Sequence, residues 1–143
     1  MAQAADFVGA WKLLDYAFLY DDGRVERPWG EEVAGYLLYS AEGYMSGNLS
    51  AARQSRSVER GRDGTSSRRR DYIAYAGPYT VGEETIIHHV EVSLFPNWLG
   101  TAQVRYHTLE GDKLVLRTPP VLSDEGRMAV QLIWQRVRAS EVL

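Results

Sequence analysis

Ile86-Ile87-His88-His89-Val90-Glu91-Val92-Ser93-Leu94 is the stretch on which the fold turns. Its even positions are Ile86, His88, Val90, Val92 and Leu94; its odd positions are Ile87, His89, Glu91 and Ser93. A period of two marks a strand with one face in a core and the other in solvent. The apolar set is therefore expected to point inward and to take His88 with it. The same alternation recurs elsewhere. Along 128–136 the apolar parity is Met128, Val130, Leu132 and Trp134, with Arg136 at the end; along 102–108 it is Ala102, Val104, Tyr106 and Thr108, against Gln103, Arg105 and His107. In the first strand the odd set Trp11, Leu13, Asp15, Ala17 and Leu19 is apolar apart from Asp15. A bulge, one extra residue on one strand, would reverse any of these assignments.

Turn signals separate such segments: Asp21-Asp22-Gly23, Ala41-Glu42-Gly43, Val81-Gly82-Glu83, Pro96-Asn97, Glu110-Gly111-Asp112 and Asp124-Glu125-Gly126. Strands are predicted at 8–20, 24–28, 34–40, 43–50, 74–81, 85–94, 102–109, 113–118 and 127–137, with Pro119-Pro120 ending one of them. Many short strands joined by tight turns make an all-β antiparallel sandwich or barrel. The 143 residues suit a single domain, 1–143. Residues 51–70 break the pattern. They hold seven arginines against Glu59 and Asp63 and almost nothing apolar, while the rest of the chain carries the net negative charge. A flexible loop is expected there, with a short helix around 66–73 capped by Ser66 or Ser67. The loop reads either as a solvated linker or as a lid that attracts an anion.

Composition narrows the function. One basic segment on an acidic body is not a nucleic-acid face, no apolar run is long enough for a membrane helix, and the first residues show no leader pattern. A cytoplasmic location is expected by default. There is no cysteine and there are three histidines, two of them adjacent and so on opposite faces of a strand, which disfavours a metal site. Phosphate-loop, dinucleotide and hydrolase-elbow motifs are missing, and no cofactor is expected.

Longer motifs carry a resemblance. Gly9-Ala10-Trp11 heads the first long strand. Gly35-Tyr36-Leu37-Leu38-Tyr39 runs into Gly43-Tyr44-Met45-Ser46, and Tyr72-Ile73-Ala74-Tyr75-Ala76-Gly77-Pro78-Tyr79 follows. The run from His88 to Thr101, with Phe95-Pro96-Asn97-Trp98 at its turn and Arg105 after it, is the most distinctive. Together, over about residues 7–137, they resemble the small bacterial and fungal lipocalin-like domain family. That resemblance implies a calycin-type antiparallel β-barrel with an internal cavity and with Trp11 closing its base. Related barrels carry apolar small molecules, or act in natural-product pathways as cyclases, isomerases and cofactor-free pericyclic catalysts. Asp15 and the arginine-rich 51–70 depart from the pattern.

The candidate chemistry follows from residue type. His88, if inward, is a pocket acid/base or a donor to a ligand carbonyl, or else a core histidine bonded to a tyrosine. Asp15, if inward, is a carboxylate of raised pKa, or the partner of Arg105 or another arginine, or a solvent group. Tyr79 completes a candidate catalytic set with these two. Nine tyrosines and four tryptophans supply apolar area with polar handles. Trp11, Tyr44, Tyr75, Trp98, Tyr106 and Trp134, with Arg105, are the candidate ligand contacts. The expected function is a small-molecule barrel acting as a cyclase or isomerase on a hydrophobic intermediate such as a polyketide. The alternatives are a non-catalytic carrier or sensor, and a filled barrel serving as an interaction domain. A homodimer is expected if the aromatics near 95–98 are exposed.

Overall fold

The computed structural model describes residues 2–52 and 71–138. The predicted loop, from residue 53 on, and the first part of the predicted helix lie outside them. Tyr72 and Ile73, assigned to that helix from sequence, are strand.

A short helix, α1 (Ala4–Phe7), leads into β1 (Gly9–Tyr20), followed by β2 (Val25–Glu26), β3 (Val33–Tyr39), β4 (Tyr44–Ala51), β5 (Tyr72–Val81) and β6 (Thr85–His89). Then come β7 (Val92–Ser93), a 3₁₀ turn (Pro96–Trp98), β8 (Ala102–Glu110), β9 (Lys113–Arg117), β10 (Val121–Ser123) and β11 (Gly126–Arg136). β10 forms beyond Pro119-Pro120, where the sequence reading ended one strand and placed no other before 127. Eight strands close a ring in the order β1-β3-β4-β5-β6-β8-β9-β11, sealed by the β11–β1 ladder. All the ladders are antiparallel, as hairpin connectivity requires. No described helix is long and apolar enough to cross a membrane.

Two bulges decide which side chains face inward. On β1, Leu13 pairs with Trp134 but Asp15 pairs with Ile133, so Leu14 is an extra residue. Before it Trp11 and Leu13 are buried; after it Tyr16 and Tyr20 are. The expectation that Asp15 and Leu19 continue the inward odd set is thereby corrected. The second bulge follows β6. Tyr79 pairs with His88, but Ala76 pairs with Val92, one residue out of register. Ile86, His88 and Val90 are inward as expected, whereas Val92 and Leu94 turn out to solvent. Gly77 makes this crossing possible: a Cβ there would lie 1.8 Å from the His89 carbonyl oxygen.

One end of the barrel is packed solid. Phe7 and Trp11 are fully buried, and the Trp11 indole donates to the Phe7 carbonyl at 2.9 Å. The Arg136 guanidinium lies 4.2 Å over the Trp11 ring and donates to the Val8 and Asp6 carbonyls. Phe7 meets Tyr39 edge-on, and Tyr39 meets Tyr79 in the same way. Leu37, Leu49, Leu116 and Trp134 belong both to this core and to the wall of the space beyond it.

Candidate functional site

The barrel is not filled. A cavity of about 460 Å³ is lined by aliphatic and aromatic side chains with a few polar ones, Tyr16, Tyr75, His88, Gln103, Arg105 and Thr118. Cross-strand pairing explains why polar groups enter from β8. Residues directly opposite in an antiparallel ladder share a face. Gln103 is opposite His88 and Arg105 is opposite Ile86, and both of those partners are inward. The expected parity of β8 is thus reversed at Tyr106, which stands outward and exposed, and at Gln103 and Arg105, which line the cavity; Ala102 and Val104 also border it.

His88 sits where the packed core meets the cavity, 1% exposed. Its Nε2 is 2.6 Å from the Tyr39 hydroxyl and its Nδ1 is 2.7 Å from the Tyr75 hydroxyl. Burial, with Arg105 and His89 nearby, pushes the imidazole down to about 3, so it is neutral at physiological pH. A neutral imidazole has one N–H and one bare nitrogen. Tyr39 is buried, and His88 is its hydroxyl's only partner among the described residues. If Nε2 carried the proton, the Tyr39 O–H would be orphaned at a cost of about 1–3 kcal/mol. Hydrogen-bond satisfaction therefore assigns Tyr39 O–H as donor to Nε2 and Nδ1–H as donor to the Tyr75 oxygen. The Tyr75 hydroxyl proton is left for an acceptor in the cavity it lines. Burial raises the Tyr39 pKa well above its usual value and raises that of Tyr75 against the opposing charge of Arg105, so both remain protonated donors.

Around this relay, Trp98 of the 3₁₀ turn meets Tyr75 edge-on, with ring centroids 5.4 Å apart, and Phe95 packs on Trp98. The aromatic pair that prompted the expectation of a homodimer is thus folded against the barrel. The turn is laced down: Leu94 N–H donates to the Ala74 carbonyl, Gly100 N–H to that of Val90, and the Thr101 hydroxyl to that of Trp98. Tyr16, brought inward by the β1 bulge, stacks on Trp29 at 4.1 Å. The indole nitrogen of Trp134 is buried with no hydrogen-bond partner among the described residues.

Of the candidate residues, His88, Tyr75, Arg105, Trp98 and Trp134 come together in the cavity wall. The others do not. Trp11 lies in the plug beneath Arg136. Tyr44 and Tyr106 are about half exposed on the outer surface. The Tyr79 hydroxyl donates to the Ser40 carbonyl at 2.8 Å and faces the core, away from the cavity wall. Asp15 is turned outward and forms a two-pronged ion pair with Arg27, at 2.9 and 3.2 Å. Sequence reasoning missed Tyr16, Tyr39 and Gln103 as site residues. The register of β8 against β6 would have located Gln103 once His88 was placed. Among the described residues no three His, Cys, Asp or Glu side chains gather as a metal-ligand set.

The lipocalin-like domain family matches this chain over residues 8–137. A protein of Aspergillus oryzae named as the 4'-hydroxy-3'-methoxypropiophenone carrier protein ppsC is 42% identical over an alignment covering 48% of this chain and 69% of that one. The crystal structure of an uncharacterized protein from Bacteroides eggerthii aligns over 92% of this chain and all of that one, with a TM-score of 0.48 and 15% identity.

Proposed function

The chain belongs to the lipocalin-like domain family, and from that premise we propose that its barrel holds a small, mainly apolar molecule carrying a few oxygens, of the natural-product kind. The carrying observation is the cavity of about 460 Å³. That volume falls within the roughly 300–1,000 Å³ of ordinary ligand sites, and its wall has their usual make-up, apolar with a few placed polar groups. The name of the A. oryzae relative, a carrier of an aromatic ketone, agrees in chemistry.

Carriage is favoured over acid/base catalysis by the state of the groups expected to catalyse. Both nitrogens of His88 are engaged, the Tyr79 hydroxyl is held by a backbone carbonyl, and Asp15 is outside. A second reading, a cofactor-free cyclase or isomerase, is supported by one arrangement. Tyr75 and Arg105 line the cavity, and their hydroxyl and guanidinium are donors of the kind that polarises a carbonyl oxygen.

The test uses the propiophenone of the relative's name as probe. Binding raises the melting temperature, because a ligand at about 100 times its Kd stabilises by roughly 2.7 kcal/mol. Extraction after incubation separates the readings: an unchanged ketone supports carriage, and a rearranged product supports catalysis. No thermal shift with this probe or with a general hydrophobic fluorophore overturns both.

A further inference from the structure

Among the described residues that line the cavity, Arg105 is the only ionised side chain, and no described aspartate or glutamate accompanies it there. The ion pairs among the described residues use Arg24, Arg27, Arg136 and Arg138 instead. Arg105 donates to the Val104 carbonyl at 2.9 Å and to Gln103 Oε1 at 3.3 Å. Gln103 is itself fixed, its amide nitrogen donating to the Thr101 hydroxyl at 2.9 Å. A guanidinium has five N–H groups, so three remain for a guest.

The titratable groups whose charge states couple to Arg105 are Tyr16 on β1, Tyr39 on β3, Tyr75 on β5 and His88 on β6. All four are neutral at physiological pH, so none offsets the cation. A cation held against apolar walls without a counter-charge is costly, and an anion entering the same space recovers much of that cost. Charge-assisted bonds to a planar guanidinium are among the strong ones, and they suit a carboxylate or an aromatic oxyanion. The freed Tyr75 proton supplies a second donor in the same cavity, while Leu49, Ile73 and Leu132 offer only apolar surface.

We infer that the cavity selects a guest with an apolar, ring-sized body and a single oxyanion, a carboxylate or a phenolate, which accepts from Arg105 and from the Tyr75 hydroxyl. This rests on the binding function proposed above and goes beyond it by assigning the charge of the guest. Arg105 is the specificity determinant. Tyr39 and His88 are positioning residues that turn the Tyr75 proton toward the cavity.

The experiment compares matched anionic and neutral probes by calorimetry, at a pH where para-nitrophenol is ionised. The pairs are naphthoate with methyl naphthoate, and para-nitrophenolate with para-nitroanisole. At least one anion is expected to bind the wild type about tenfold or more tightly than its neutral partner. Preference confined to naphthoate identifies the guest as a carboxylate, and preference confined to nitrophenolate identifies a phenolate. Arg105→Met is expected to bring the ratio close to one. Arg105→Lys is expected to retain part of the preference, since charge survives without the fork. Neutral probes binding as tightly as both anions overturn the inference and leave the cavity reading intact. Survival of the preference in a folded Arg105→Met protein also overturns it. If no probe of either pair binds, the cavity reading itself fails and the inference falls with it. The wild-type comparison decides the matter even if a variant does not fold.

Discussion

Acidification from about pH 7.5 to about pH 5 is expected to remove roughly 2 kcal/mol of folding stability through His88 alone. The ordinary value of the group is 6.5, and the fold holds it at about 3. Because the folded value is depressed, the unfolded chain takes up this proton first. The stability tied to neutral His88 is fully present above 6.5 and is lost as the pH falls from there toward 3. Each unit is worth about 1.4 kcal/mol, so the full loss is of the order of 4–5 kcal/mol. Solvent gives little relief, since the side chain is 1% exposed. The assay is urea unfolding, followed by tryptophan fluorescence, of the wild type and of His88→Gln at both pH values. All other groups are common to both proteins and cancel in the comparison. The wild-type midpoint should fall further than that of the variant by about 1 M urea, for a slope near 2 kcal/mol per molar. Equal falls would refute the reasoning, as would an NMR titration showing wild-type His88 protonated near pH 6.

The remaining predictions concern the cavity, the outer ion pair and the plug. Gly47 lines the cavity, and a Cβ there meets nothing nearer than 3.6 Å, so Gly47→Leu should fill the space. Calorimetry should then show probe binding lost, while the melting temperature holds or rises, since glycine weakens a strand interior. Asp15→Asn breaks a partly exposed pair with Arg27 and should cost at most about 1 kcal/mol. It should leave probe affinity unchanged, which a catalytic or ligand-contacting Asp15 would not. Arg136→Met removes two bonds to backbone carbonyls and the stacking over Trp11. It should cost roughly 1–3 kcal/mol and speed amide exchange at residues 6–9.

The alternation in 86–90 and 128–134 was enough to place Ile86, His88, Val90, Val130, Leu132 and Trp134, and the turn signals marked out most of the strands. The site was only half legible. On β8 the apolar parity, Val104 and Tyr106, was read as inward because cores are usually apolar. In a barrel with a cavity the inner face is where polar groups do their work, so Gln103 and Arg105 invert the pattern. Tyr79 and Tyr75 look alike in sequence, four residues apart in one strand. One is held by the Ser40 carbonyl in the core and the other lines the cavity, a difference set by depth along the barrel.

The amino-acid pattern by itself determined an all-β antiparallel chain, the positions of most of its strands, the family resemblance and an interior rich in rings. The tertiary structure alone decided which face of β1 and of 90–94 points inward, because an extra residue at Leu14 and another after His89 exist only relative to the strands they pair with. It also decided the charge state and tautomer of His88, which depend on Tyr39 and Tyr75 arriving from strands 49 and 13 residues away. Side-chain period is local, whereas register, burial and the satisfaction of a buried hydrogen bond are properties of the closed ring.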